Sequence, residues 1–248
     1  MKNNISFNSD LAKFGIGLFE TIKVKNGKAQ NLDLHLNRIF KSIDELNLNI
    51  NEERCFIENL IKEYIKYKNL NNKAIRLTIC EDGYSLSSRD IGYDDNLYKK
   101  GFDLCISPIC RGDSIINRHK TTNYFENIYS KKFALANGYD DSVFIDLNKT
   151  ILECSMSNIF FIKSNKIYTP DENLSILNGT MKKSIIDLCT NLKIEINQCN
   201  IKLTEISEFD FCFVSNSLMG IMKVNKIENV EFKPNNEIFE ILWREIND

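Results

Sequence analysis

Five short stretches of this sequence carry residue types whose spacing suits one kind of chemistry. Lys120 lies in Asn117-Arg118-His119-Lys120-Thr121-Thr122-Asn123-Tyr124, just ahead of a helical pattern. A neutral lysine amine is a nucleophile toward carbonyl carbon. Glu153, in Ile151-Leu152-Glu153-Cys154, is a carboxylate between apolar strands, a costly position unless a positive charge meets it. Gly179-Thr180-Met181-Lys182 opens a predicted helix, where backbone N–H groups attract phosphate and glycine permits close approach. Arg38 has His35 at i−3 and Ser42 at i+4 on one helical face, an arrangement suited to clamping an anion. Ser215-Asn216-Ser217 follows an apolar strand and offers hydroxyl and amide donors. Taken singly, each has a plainer reading: a solvated lysine, a strand-end glutamate, an ordinary helix start, a surface arginine, a turn. Together they supply what pyridoxal phosphate requires, namely a lysine for a Schiff base, an acid against the ring nitrogen, and donors for a dianionic phosphate.

Other chemistries lack their residues. The chain contains no G-x-x-x-x-G-K-[ST], no G-x-G-x-x-G and no G-x-S-x-G, which weakens nucleotide and serine-hydrolase readings. Gly15-Ile16-Gly17 precedes a strand where a dinucleotide fingerprint needs a helix. Eight cysteines form no C-x-x-C pair, and with only two histidines no metal site is expected. Lys and Arg number 32 against 34 Asp and Glu, for a net charge of −2. That balance gives no global attraction to nucleic acid or to an anionic membrane. The first residues, MKNNISFNSD, lack an apolar signal-peptide core, and no apolar run approaches the ~20 residues of a membrane span. The expectation is a cytoplasmic protein with reduced thiols.

The elements that must position these groups follow from periodicity. Leu18–Gln30 has strand composition on both sides of Asn26-Gly27, a dipeptide that favours a tight hairpin. Leu32, Leu36, Ile39, Ile43 and Leu46 recur every three or four residues and predict an amphipathic helix. A second helix is predicted over Glu52–Tyr67. Strands near Ala74–Cys80 and Phe102–Ser107 bracket the polar stretch Glu81–Lys100, which reads as a long functional loop carrying Arg89. After a helix over Asn123–Asn137 come short strands, a helix starting at Thr180, further strands near Ile194–Cys199 and Phe211–Val214, and a closing helix. Strands and helices arrive in clusters, so the fold class is α+β rather than a doubly wound sheet. Residues 1–109 are expected to form one domain, 110–119 a connection and 120–248 a second domain.

In order and spacing these stretches resemble the class IV, or fold-type IV, pyridoxal-phosphate-dependent aminotransferases and lyases. Gly15–Thr21 resembles the family's G-x-G-x-F-E-T segment and His35–Ser42 its H-x-x-R-L-x-x-S helix. His119–Tyr124 resembles the Schiff-base lysine segment, and Glu153–Phe160 the E-x-S-x-S-N-I-F strand pair. The resemblance implies an N-terminal α/β sandwich-like domain, a C-terminal pseudo-barrel domain with helices, and a homodimer. It also implies roles: Lys120 as catalytic lysine; Arg38, Glu153, Thr180, Met181, Asn216 and Ser217 as cofactor contacts; Thr21 as a hydrogen-bonding group near the reacting end. Arg89 is the first choice for a substrate carboxylate, with Arg76 and Arg111 behind it. Met181, and Ser215–Met222 without the aminotransferases' E-V-x-P, lean toward the lyases that turn 4-amino-4-deoxychorismate into p-aminobenzoate and pyruvate for folate synthesis. Lys182 and Lys223 stand where that pattern usually has Arg and Pro. An aminotransferase acting on branched-chain or D-amino acids and a non-catalytic protein on the same scaffold are the alternatives.

Overall fold

A computed structural model describes residues 6–247, which fall into two units, 6–92 with 119–124 and 93–118 with 125–247. Residues 1–5, half of the stretch read above for a signal peptide, lie outside the described residues.

In the first unit a short helix α1 (Asp10–Phe14) is capped by Ser9, whose hydroxyl accepts from Ala12 N, and ends at Gly15 with φ of 70°. Strand β1 (Leu18–Lys25) turns through Asn26 and Gly27, both at positive φ, into β2 (Lys28–Ala29), as the dipeptide predicts. Helices α2 (Leu32–Glu45) and α3 (Arg54–Tyr67) follow, then β3 (Lys73–Cys80) and β4 (Gly83–Asp90). The sheet order is β2-β1-β3-β4. Leu18, Ile22 and Val24 of β1 and Ile75, Leu77 and Ile79 of β3 bury against Leu36, Ile39, Ile57 and Ile61 of the helices. Thr21, paired with Arg76 and through it with Ser87, belongs to the alternate set of positions. The stretch Glu81–Lys100 is therefore not a loop. It is edge strand β4 followed by a helix, and it reads as a loop because the far half of β4 is exposed and polar.

The second unit starts with α4 (Asp95–Lys100), β5 (Phe102–Arg111), α5 (Phe125–Ala136), β6 (Asp141–Asp146) and β7 (Ile151–Cys154). Next come β8 (Asn158–Lys163), β9 (Lys166–Pro170), α6 (Thr180–Leu192), β10 (Ile196–Cys199), β11 (Phe211–Asn216), β12 (Gly220–Ile227), β13 (Val230–Glu231) and α7 (Glu237–Asn247). They build a curled nine-stranded sheet in the order β10-β9-β8-β11-β12-β5-β6-β7, with β13 on β12. The run Ile159–Ile162 is apolar throughout because both faces are covered. Ile159 and Phe161 enter one core with Val143 and Met222, while Phe160 and Ile162 enter another with Ile185 and Phe239 of the helices.

The α+β class with a curled second sheet is as expected, but the units divide differently from 1–109, 110–119 and 120–248. Residues 93–118 go with the second unit because β5 is hydrogen-bonded between β12 and β6. Residues 119–124 go with the first because they pair with residues 17–19. Among the described residues no helix is long and apolar enough to cross a membrane.

Candidate active site

Lys120 owes its position to backbone pairing. Phe19 N donates to Lys120 O at 2.9 Å, Thr122 N donates to Gly17 O at 2.8 Å, and Thr121 bridges Leu18, so residues 120–122 lie alongside the start of β1. The two motif glycines make this possible. A Cβ on Gly17 would sit 2.9 Å from Leu11 Cδ1 and 3.2 Å from both Ile79 O and Thr122 Oγ1, and Gly15 adopts the left-handed conformation that glycine tolerates. Thr122 Oγ1 donates to Gly15 O at 2.5 Å, completing the seat. The Lys120 ammonium lies 4.6 Å from the Phe19 ring centroid and 5.2 Å from that of Tyr124, and those two rings meet edge to face. The Arg76 guanidinium lies 3.8 Å from the same Phe19 ring, so one aromatic side chain is shared by two cations. Arg89, one strand further out, is exposed and donates to Asp90 O.

Arg38 meets a partner that the sequence reading missed. Its Nε donates to Glu20 Oε1 at 2.7 Å and an Nη to Oε2 at 2.5 Å, while His35 Nδ1 lies 2.6 Å from Oε2. Glu20 is buried at 1% exposure. Burial raises its pKa, but Arg38 and His35 outweigh that and hold it at about 2, against an ordinary 4.5. Burial pushes His35 down, so the imidazole is neutral and donates its Nδ1 proton to the carboxylate. The signal was present in the sequence: in Leu18-Phe19-Glu20-Thr21-Ile22, alternation puts Glu20 on the same face as Leu18 and Ile22, and a charge there demands a partner.

In the second unit Glu153, on β7, accepts from Arg111 Nη1 at 2.7 Å and from Leu177 N at 3.3 Å. Arg111 is itself buried, with its guanidinium 3.6 Å from the Phe144 ring centroid and an Nη 3.2 Å from Asn127 Oδ1. Asn127 in turn donates to Ser155 O. Arg111 was expected at the edge of an interdomain connection; it is the last residue of β5 and the partner of Glu153.

Helix α6 begins at Gly179 with no side-chain cap, and Thr180 Oγ1 lies 3.0 Å from Ser217 Oγ. A Cβ on Gly179 would overlap the Asn158 carboxamide, whose Nδ2 donates to Ser215 O and Oγ at 3.0 Å. Asn216 Oδ1 accepts from Leu218 N and Met219 N, and its Nδ2 donates to Tyr93 Oη and Met156 O. Met181 is half-buried beside the α6–α7 core. Lys182 turns inward. Its ammonium donates to Pro170 O at 2.5 Å, and burial pulls its pKa down to about 8. The second unit thus gathers Glu153, Thr180, Met181, Asn216 and Ser217, and the first holds Thr21, Arg38, Arg89 and Lys120.

The model of the amino-transferase class IV family matches residues 17–227. The chain belongs to this family. Class IV enzymes use pyridoxal phosphate, and this chain is an enzyme of that kind. Among curated relatives, a "Probable branched-chain-amino-acid aminotransferase" of Rickettsia felis is 29% identical over 228 residues, covering 85% of this chain and 77% of its own. The "Aminodeoxychorismate lyase" of Bacillus subtilis is 24% identical, covering 88% and 80%. Among solved structures, a "Putative 4-amino-4-deoxychorismate lyase" from Legionella pneumophila superposes with a TM-score of 0.89 at 25% identity, covering 99% of this chain and 96% of that one.

The residues present fit the class IV cofactor. An uncapped thirteen-residue helix starts at a glycine that has no room for a side chain, beside two hydroxyls, which suits a phosphate. Glu153 is a buried carboxylate already held beside a guanidinium, which suits a protonated ring nitrogen. Leu177 N, two residues before Gly179, ties the acid to the helix start.

Proposed function

We propose that this enzyme is a lyase converting 4-amino-4-deoxychorismate to p-aminobenzoate and pyruvate. The observation that carries this reading is the compact β11–β12 connection, in which Asn216 closes the turn onto Leu218 and Met219. In sequence the segment Ser215–Met222 resembles the lyase form, without the E-V-x-P of the aminotransferases, although Lys223 stands where the lyase pattern usually has Pro. The near end-to-end overlap with the Legionella chain supports it.

When bound, pyridoxal phosphate supplies an electron-withdrawing ring that takes up the charge left when a substrate C–H bond breaks. Lys120 would hold the cofactor, and its amine would take the proton from the substrate's amine-bearing carbon. It returns that proton to the departing enolpyruvyl group, which leaves as pyruvate. Glu153, hydrogen-bonded to Arg111, would carry the ring nitrogen's counter-charge. Arg38, the first turn of α6 with Thr180 and Met181, and Asn216 with Ser217 hold the phosphate. Thr21 hydrogen-bonds near the leaving group. Arg89 and Arg76 meet the substrate's carboxylates, and Arg76 is the better placed, since it shares the Phe19 ring with Lys120. Arg111 is reassigned from substrate to Glu153.

The second reading, a branched-chain aminotransferase, is favoured by the Rickettsia relatives. Incubation with 4-amino-4-deoxychorismate separates the two. Release of p-aminobenzoate and pyruvate in equal amounts is expected. Transfer of the amino group from valine to 2-oxoglutarate without p-aminobenzoate overturns the lyase reading. Lys120→Ala is expected to lower the rate by about three orders of magnitude or more, and borohydride reduction followed by peptide mass spectrometry should locate the cofactor's mass on Lys120 alone. We further propose a cytoplasmic homodimer. The exposed apolar side chains of α5, Phe125, Ile128, Tyr129 and Leu135, support an interface, and sedimentation equilibrium tests it.

A further inference from the structure

Two motif residues, Glu20 and His35, have no part in the chemistry above, yet they sit between the two cofactor anchors of the first unit. Glu20 follows Phe19, whose N–H is bonded to Lys120 O at 2.9 Å, so two adjacent residues of β1 meet the lysine through the Phe19 backbone and Arg38 through the Glu20 side chain. A second tie runs in parallel. Ser42 Oγ donates to Arg38 O at 2.9 Å, and His119, the residue before Lys120, has Nδ1 2.9 Å from Ser42 Oγ. Arg38 is gripped side-on, through Nε and one Nη, by both oxygens of one carboxylate. That two-point contact fixes the guanidinium plane, so the direction of its opposite edge is set by Glu20 rather than by rotamer choice. His35 donates to Oε2, the oxygen that also takes the Arg38 Nη, and prevents the carboxylate from swinging about its own side chain. Glu20 lies among Leu18, Ile22 and Leu36, where an apolar residue would pack without cost in charge burial.

We propose that Glu20, braced by His35, is a positioning residue that fixes the Arg38 guanidinium for the cofactor phosphate in a set relation to the Lys120 amine. The inference rests on the reading of Arg38 as a phosphate contact and adds to it the residues that aim it. A residue that acts only through the phosphate must discriminate between pyridoxal phosphate and pyridoxal, which lacks it.

The test is titration of cofactor-stripped protein with each compound, followed by absorbance. Glu20→Gln is expected to weaken pyridoxal phosphate about tenfold while leaving pyridoxal within about twofold, and Arg38→Ala is expected to do the same. In the double variant the loss should be no greater than in Arg38→Ala alone, because Glu20 works through that side chain. His35→Gln should give a smaller loss of the same selectivity. If Arg38→Ala is selective but Glu20→Gln weakens both compounds equally, or neither, the inference falls and the phosphate reading stands. If Arg38→Ala is not selective, the phosphate reading falls and takes the inference with it. Should Glu20→Gln fail to fold, Glu20→Asp decides: it keeps the charge but withdraws the carboxylate, so a selective loss upholds the positioning role and equal affinities overturn it.

Discussion

The two units each bury a carboxylate against an arginine, and they do it in opposite ways. Glu20 is served by two side chains of one helix, His35 and Arg38, three residues apart. Glu153 is served by Arg111, 42 residues distant in the chain, and by one backbone N–H. In the first arrangement both carboxylate oxygens are taken by side chains that a single turn of α2 delivers together. In the second, β5 and β7 lie in one sheet with β6 between them, and Asn127 of α5 and the face of Phe144 hold the guanidinium. Local supply makes a rigid, self-contained pair. Distributed supply makes a carboxylate whose position depends on several elements, β5, β7 and α5 among them.

The contrast breaks most readily at Arg111. Arg111→Met leaves Glu153 buried without its counter-charge and is expected to cost about 4 kcal/mol in urea unfolding of the cofactor-free protein. A loss under about 1 kcal/mol would mean that the remaining contacts suffice. Next comes acid titration. Because the folded pKa of Glu20 is about 2 against 4.5 for the free group, the unfolded chain binds the extra proton in between. Its stabilisation is therefore fully present above about pH 4.5 and lost as pH falls toward 2, about 3 kcal/mol in all. Unfolding of the native protein should show that slope, and Glu20→Gln should flatten it; parallel curves would refute the pairing. The smallest effect sharpens the distributed side. Asn127→Ala removes one acceptor from Arg111 and one donor from Ser155 O, and is expected to cost about 1 kcal/mol and to leave the acid slope of Glu20 unchanged.

The same difference in range decides what the sequence discloses. Helix α2, the Asn26-Gly27 turn and the start of α6 at Thr180 are local features, and periodicity or a turn dipeptide places each of them. The Arg38–His35 face is equally local; its partner Glu20 was visible only as a charge out of step with an apolar alternation. Arg111 is harder. It lies at the end of a strand whose parallel neighbours, β12 and β6, come much later in the chain, and nothing near it marks its role. β4 hid for another reason: an edge strand with one solvated side needs little apolar residue content. Lys182 was legible only as standing in the usual place of an Arg, and its inward turn to Pro170 O depends on where β9 ends.

Because residues 119–124 belong with the first unit although 93–118 and 125–247 form the second, the chain order and the spatial order are interleaved. Recombination between relatives at one crossover, whether before Tyr93 or after Tyr124, therefore moves one whole unit only together with a piece of the other. A chimaera that exchanges the first unit has to carry two inserts, and the shorter of them holds Lys120, so a donor's seat for that lysine and the lysine itself must be inherited together.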